Sequence, residues 1–261
     1  MKILIIGDIV GRPGRNAVKQ LAPILRDEFH FDLFIANAEN AAGGKGITVD
    51  TMKEILNAGV DVITTGDHAY QQGDAAGALN IRNVIRPLNY PPGVPGKGFV
   101  IATTSSGKKV AVVNLLGRVF MKPADCPFRA IDSILDEIKK ETNIIIVDFH
   151  AEATSEKIAM GWYLNGKVSA VCGTHTHVLT ADNRILSDGT ACLTDLGMTG
   201  ARDSVIGCEV KPIVNHFLTG LPNKFKIAKE NIWLTGAIIE VDDSTGKALS
   251  INIIKKQITE N

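Results

Sequence analysis

Cysteine is scarce in this chain and follows no pattern. Cys126, Cys172, Cys192 and Cys208 are widely spaced, with no C-x-x-C pair, so a disulfide scaffold is unnecessary and a reducing, cytoplasmic setting is expected. Cys172 and Cys192 sit in apolar runs and read as small core residues. Net charge is absent as well. Lys plus Arg and Asp plus Glu number 28 each, which argues against a grip on long nucleic acid driven by global charge but leaves room for a local basic pocket. No basic-aromatic stripe marks a polynucleotide track. The first apolar run, Ile3 to Ile6, is ended by Gly7-Asp8 and is too short for a signal peptide's apolar region or a membrane span. No repeat, low-complexity tract or composition shift divides the 261 residues, so one domain over 1–261 is expected.

What is present is an α/β pattern. Hydrophobic residues make up 45% and charged residues 21%, enough for a sizeable core. Short continuous apolar runs, as in strands buried on both faces, recur at Ile3–Ile6, Leu33–Ala36, Val60–Thr65, Lys109–Leu116, Asn143–Phe149 and Val168–Cys172. Helical spacing is expected over Asn16–Glu28, Thr48–Ala58, Phe128–Lys139 and Glu209–Thr219. Another helix is expected to start near Thr154, with a capping residue before an acidic first turn. Asn83–Gly98 is a Pro- and Gly-rich loop. Ile232–Val241 and Leu249–Ile254 read as a hairpin around Asp242-Asp243-Ser244-Thr245-Gly246.

Polar residues of one chemical kind follow these runs. Asp8 ends the first, Glu39-Asn40 the second, Asp67-His68 the third, His150 the fifth, and Gly173-Thr174-His175-Thr176-His177 the sixth. In extended backbone, His175 and His177 would point to the same side. Strand ends brought to one sheet edge form the usual ligand crevice of an open α/β sheet. The Gly7–Gly14 loop has neither the dinucleotide fingerprint nor a G-K-[ST]. Asp8 there would repel a phosphate and suits a metal instead. Three carboxylates and three imidazoles exceed what one tetrahedral ion needs. The count fits two metals sharing a carboxylate, with nitrogen and oxygen donors suited to Fe, Mn, Zn or Co. No cysteine sits at these ends, which weighs against a structural zinc. Two metals roughly 3.5–4 Å apart are the machinery of phosphoryl chemistry. His68, an imidazole beside a presumed ligand, is then the candidate general acid. Arg12, Lys45, Arg118 and Arg202 are cations that could meet a phosphate; each reads more simply as a solvated surface charge, and none is assigned to the site.

The ordered set Asp8, Glu39-Asn40, Gly66-x-His68, His150 and Gly173-x-His175-x-His177 resembles the calcineurin-like metallophosphoesterases. Ala153-Thr154-Ser155-Glu156-Lys157 and Asp195-x-Gly197-Met198-Thr199-Gly200 make it more similar to their bacterial YmdB-like branch. The resemblance spans essentially the whole chain. It implies a four-layer αββα sandwich with a dinuclear site at the carboxyl ends of the strands, holding two divalent or trivalent ions, iron first with manganese or zinc as alternatives. It further implies hydrolysis of cyclic nucleotides, 2',3'-cyclic ones in particular. Carried over, Asp8, Glu39, Asn40 and His177 hold one metal; Glu39, Asp67, His150 and His175 hold the other, with Glu39 bridging and His68 as general acid.

Two departures stand out. Asp8-Ile9-Val10 lacks the superfamily's D-x-H histidine, as the YmdB-like branch does, and Asn40 can fill that vacancy. Asp67 replaces the neutral Asn of the family's G-N-H, adding negative charge beside the metals. A phosphomonoesterase or a nuclease acting on a short RNA end is the alternative enzyme. A metal-binding regulatory protein with weak catalysis is the alternative from another class, and Asp67 is the feature favouring it. Expected partners are a cyclic nucleotide or short RNA end, with no membrane; a homo-oligomer is left open.

Overall fold

The computed structural model describes residues 1–258. The first segment holds β1 (Lys2–Ile6), β2 (Asp8–Ile9), α1 (Gly11–Phe29), β3 (Leu33–Asn37), α2 (Val49–Asn57), β4 (Val62–Thr64) and the short α3 (Ala75–Leu79). The middle segment holds β5 (Phe99–Thr103), β6 (Lys109–Leu116), α4 (Pro127–Lys139), β7 (Ile145–His150), α5 (Thr154–Tyr163), β8 (Ala170–Thr174), β9 (Arg184–Ile185) and β10 (Ala191–Leu193). The last holds β11 (Met198–Ala201), α6 (Val210–Thr219), β12 (Ile232–Val241) and β13 (Ala248–Gln257).

Two sheets result, where the strand-end pattern suggested a single edge. The seven-stranded sheet is built from the first and last segments. β1 runs parallel to β3, and β3 to β4, while β12 pairs antiparallel with both β1 and β13. The second sheet has six strands in the order β5-β6-β7-β8-β10-β9, with a parallel centre and antiparallel edges. The alternation of side chains along a strand sorts the core into layers. Ile3 and Ile5 of β1 face the second sheet's Val110, Val112 and Ile146, whereas Leu4 and Ile6 face α1 and α2 through Val18, Leu25 and Met52. On the far side, Val113 and Val147 pack under α4 and α5 through Ile131, Ile138 and Met160. Every central strand is therefore covered on both faces, which is why the runs are continuously apolar. The layers are helix, sheet, sheet, helix.

Several local expectations change. α1 begins at Gly11, five residues before the expected start, with Pro13 in its first turn where a missing N–H costs nothing. α5 is preceded by Ala153, which has no side-chain cap, and Thr154 and Ser155 lie inside the helix. Thr48 does cap α2, through a reciprocal pair with Thr51. Asp8 belongs to its own two-residue strand. Gly7 breaks β1 there so that β11 can insert between β2 and β12. A Cβ on Gly7 would lie 2.0 Å from the carbonyl oxygen of Gly197, so only glycine fits.

Candidate metal centre

All eight residues singled out by the sequence converge at the carboxyl ends of both sheets. Asp8, Glu39, Asn40 and Asp67-His68 arrive from β2 and the ends of β3 and β4; His150 ends β7, and His175 and His177 follow β8. Glu39, Asp67, His150 and His175 each offer a donor atom, and the four atoms lie within 4.8 Å of one another. The others adjoin them. Asn40 Nδ2 donates to Glu39 Oε1 at 3.1 Å and Asp8 Oδ1 at 3.4 Å, and stands 3.1 Å from His177 Nε2. Glu39 spans both groups, since its Oε2 lies 3.2 Å from His150 Nε2. Gly66 keeps the centre open: a Cβ there would lie 2.3 Å from Glu39 Oε2 and 2.4 Å from His150 Nε2.

His175 and His177 are not in extended backbone. β8 stops at Thr174, and both histidines have left-handed φ values, 102° and 64°. That conformation is unfavourable for residues with a side chain. It separates the rings: His175 Nδ1 reaches His150 Nε2 at 3.0 Å, whereas His177 turns to Asn40.

The histidines are fixed from outside the cluster. His177 Nδ1 donates to the carbonyl of Ile206 at 2.8 Å, and His175 Nε2 lies 3.0 Å from Glu152 Oε2. His150 Nδ1 meets Thr174 Oγ1 at 2.8 Å, and that hydroxyl donates to Asp148 Oδ1 at 2.7 Å. In each ring the outward nitrogen is occupied and the inward one faces the carboxylates, the arrangement that selects a metal-binding tautomer. Asp67 Oδ1 is buried without a full hydrogen-bond partner, the nearest donor being His150 Nε2 at 3.5 Å. An orphaned carboxylate oxygen, acceptors converging from three carboxylates and three outward-tied imidazoles fit metal ions.

Proton affinities follow from burial set against charge. Burial alone would raise Glu39, but His150 and His68 hold it well below the usual carboxylate range. Burial would lower His150, yet Glu39 raises it well above its ordinary value. Burial raises Asp8, against the pull of His177 and His150. Asp67 stays at about 2 because His150 and His68 outweigh its burial and the repulsion of Glu39. His175 falls to about 4 through burial and the neighbouring charge of His150.

His68 is half-buried over the Glu39-Asn40 pair. Its Nδ1 lies 2.9 Å from Asn40 Oδ1, leaving Nε2 3.8 Å from Asp67 Oδ2.

Sequence reasoning gave the supporting residues no role in the site, although Glu156, Lys157 and Asp195 lie in the motifs that carry the family resemblance. Asp148 takes donors from Asn37 and Thr64 in the first sheet and from Thr174 in the second, and burial pushes it up to about 6. Its signal was legible: two positions before His150 in a strand, it shares that residue's face. Lys157 and Asp195 form a buried ion pair at 2.6 Å, and Asp195 also accepts from Thr176 N and Gly197 N, holding the histidine loop. Glu156 accepts from the backbone of Arg118 and Val119. This anchors the connection from which Lys122 Nζ reaches the Asp67 carbonyl at 2.9 Å and Oδ2 at 3.2 Å.

Known proteins share this frame. A family model described as YmdB-like protein matches residues 4–254. A 2',3'-cyclic-nucleotide 2'-phosphodiesterase of Bacillus subtilis (strain 168) is 46% identical over 255 residues, 97% of this chain and 96% of that protein. The crystal structure of a novel phosphatase from Mycoplasma pneumoniae has TM-score 0.92 and 34% identity, covering 98% of this chain and 93% of its own. The calcineurin-like phosphoesterase YfkN from Bacillus subtilis, 12% identical over 98% of this chain and 90% of that one, shares the fold alone at TM-score 0.56. Two stacked sheets, a metal-compatible cluster at their joint ends and a family match along nearly the whole sequence lead to one assignment: the chain belongs to the YmdB-like family, on the calcineurin-like phosphoesterase fold.

Proposed function

We propose that the chain is a dinuclear-metal phosphodiesterase acting on cyclic nucleotides, 2',3'-cyclic ones first. The observation that carries this reading is Glu39. Its two oxygens face different halves of one cluster, Asn40 on one side and His150 on the other, as a shared ligand requires. Asp8, Glu39, Asn40 and His177 would hold one ion, and Glu39, Asp67, His150 and His175 the other. Asn40 would serve through its amide oxygen, turned toward the side where its nitrogen stands in this structure. Bound there, the metal pair supplies Lewis-acid polarisation of the phosphoryl group and an acidified water.

The residues do the rest. His68 delivers a proton from Nε2 to the departing ribose oxygen while Glu39 Oε1, 3.2 Å from Nδ1, fixes its other nitrogen. Thr174 and Asp148 keep His150 aimed inward, and the Ile206 carbonyl does the same for His177. The name of the Bacillus subtilis relative supports the substrate class. Iron is the first expectation for the metal, with manganese or zinc next, because imidazole and carboxylate donors suit all three.

The test is a panel of 2',3'-cyclic AMP, 3',5'-cyclic AMP and p-nitrophenyl phosphate esters, assayed after reconstitution with iron or manganese, with metal content measured in parallel. Preferential turnover of 2',3'-cyclic AMP is expected. No turnover by metal-loaded protein would overturn the enzymatic reading in favour of a regulator. Turnover confined to phosphomonoesters would overturn the substrate class.

A further inference from the structure

A cavity of about 350 Å³ lies against the outer side of His177, walled by Val178, Met198, Ile206 and Trp233 with Arg202 and Lys255 among them. We propose that it receives the nucleoside of the substrate, with Arg202 and Trp233 as the surface on which the base stacks. The inference rests on the cyclic-nucleotide reading above.

Position is the first argument. His177 belongs to both places, since Nε2 stands at Asn40 in the cluster while Nδ1 bonds the Ile206 carbonyl in the cavity wall. The imidazole of His177 is thus shared between the cluster and the cavity lining. A larger cavity of about 910 Å³, with Arg82, Arg86, Lys97 and Arg129 in its lining, contains none of the eight cluster residues and lacks this continuity.

Chemistry is the second. The Arg202 guanidinium lies over the Trp233 indole, 4.6 Å from the ring centre, and the indole is fixed by its Nε1 donating to Asn231 Oδ1 at 2.6 Å. Aromatic rings and guanidinium planes are the surfaces on which unpaired bases stack. Val178 and Ile206 remain 60% and 53% exposed, so the rim carries apolar surface that no other described part of the chain covers. Ile206 is also held at φ 47°, unusual for a β-branched residue. That conformation directs its carbonyl at His177 while its side chain lines the cavity. Ser204 supports the turn, accepting from Gly207 N at 2.9 Å. An apolar cleft of this size with a few convergent polar groups is the usual form of a small-ligand site.

The experiment compares 2',3'-cyclic AMP with abasic ribose 2',3'-cyclic phosphate, which has the same reacting group and no base. Trp233→Ala should lower the ratio of their kcat/KM values about tenfold, acting on KM for the cyclic nucleotide, and Trp233→Phe should restore most of it. Arg202→Gln, which leaves the indole in place, should shift the ratio in the same direction, so the result does not depend on one variant folding. In a Trp162→Phe background, whose only tryptophan is Trp233, cyclic AMP should quench the emission and the abasic compound should not. An enzyme that hydrolyses cyclic nucleotides with an unchanged ratio in both Trp233→Ala and Arg202→Gln would overturn the pocket and leave the function standing. One that hydrolyses phosphate esters but no cyclic nucleotide would overturn the function and the pocket with it.

Discussion

Asp67 presents its two carboxylate oxygens to different surroundings. Its Oδ1 faces the cluster without a hydrogen-bond partner, and its Oδ2 faces Lys122 at the mouth. An asparagine would offer one oxygen and no charge; the aspartate adds a negative charge beside a site that must receive a phosphate. Tighter metal binding and slower turnover, or an optimum at higher pH, are the electrostatic consequences. Asp67→Asn should therefore raise the rate and weaken metal affinity, measured by pH–rate profiles and metal titration; a variant with unchanged rate, profile and affinity would sink the idea. Lys122 is half in solvent, where an ion pair contributes little, about 1 kcal/mol at most. Lys122→Met should change metal affinity by no more than severalfold, and by less in an Asp67→Asn background, where only the contact to the backbone carbonyl remains. A buried residue behaves differently. Thr174→Val leaves both His150 Nδ1 and Asp148 Oδ1 without their partner, a loss of about 1–3 kcal/mol in stability, with metal affinity down by about 10–100-fold. Urea unfolding with metal titration measures both. A Thr174→Val variant as stable as its parent would show that the relay is not stabilising.

At the scale of elements, the apolar runs were legible because their causes are local: Ile3–Ile6 and Asn143–Phe149 have no other way to bury themselves. Helix caps were less so, since the cap expected at the start of α5 is absent and the one that forms is that of Thr48 on α2. What was not legible depended on distant chain. The left-handed turns at His175 and His177 are set by Asp8, Asp195 and Ile206, far along the sequence. The start of α1 is fixed where Gly11 N meets the Asn40 carbonyl. Glu39 and Asp67 could be placed at strand ends, but nothing local said that the histidines opposite them belong to another sheet. The turn between β12 and β13 is a local case with a measurable signature. Asp242 Oδ1 accepts from the backbone and hydroxyls of both Ser244 and Thr245, and these bonds, led by the Ser244 hydroxyl, push its carboxyl far below the ordinary value of 3.8. A depressed carboxylate contributes stability that is present above its unfolded value and is lost as pH falls toward the folded one. Asp242→Ala should therefore lower Tm more at pH 7 than at pH 3; equal losses at both would rule out the charge as the cause.

At the scale of the molecule, the cluster joins two sheets that otherwise meet through apolar side chains and a few buried polar contacts such as those of Asp148. Asp8, Glu39 and Asp67 come from one and His150, His175 and His177 from the other, so an ion bound among them ties the two. Ligand present at about 100 times its Kd stabilises a native state by about 2.7 kcal/mol. For a chain of this length that is about 5–10 °C in Tm. Manganese should produce such a shift, EDTA should reverse it, and Glu39→Ala should abolish it; equal shifts in parent and variant would place the bound ion elsewhere. The strand order carries a separate consequence, for biosynthesis. The middle sheet uses one uninterrupted stretch, β5 through β10, whereas the other needs β1 from the beginning and β12 from near the end. As a chain leaves the ribosome, the second sheet has all its strands while β1, paired on one side with β3, still waits for β12 on the other. Asp8, Glu39 and Asp67 are translated first yet gain their final surroundings last. A metal pair held as proposed would gain its finished site only once β12 has joined β1, so a chain stalled on the ribosome before β12 should bind manganese more weakly than the full chain.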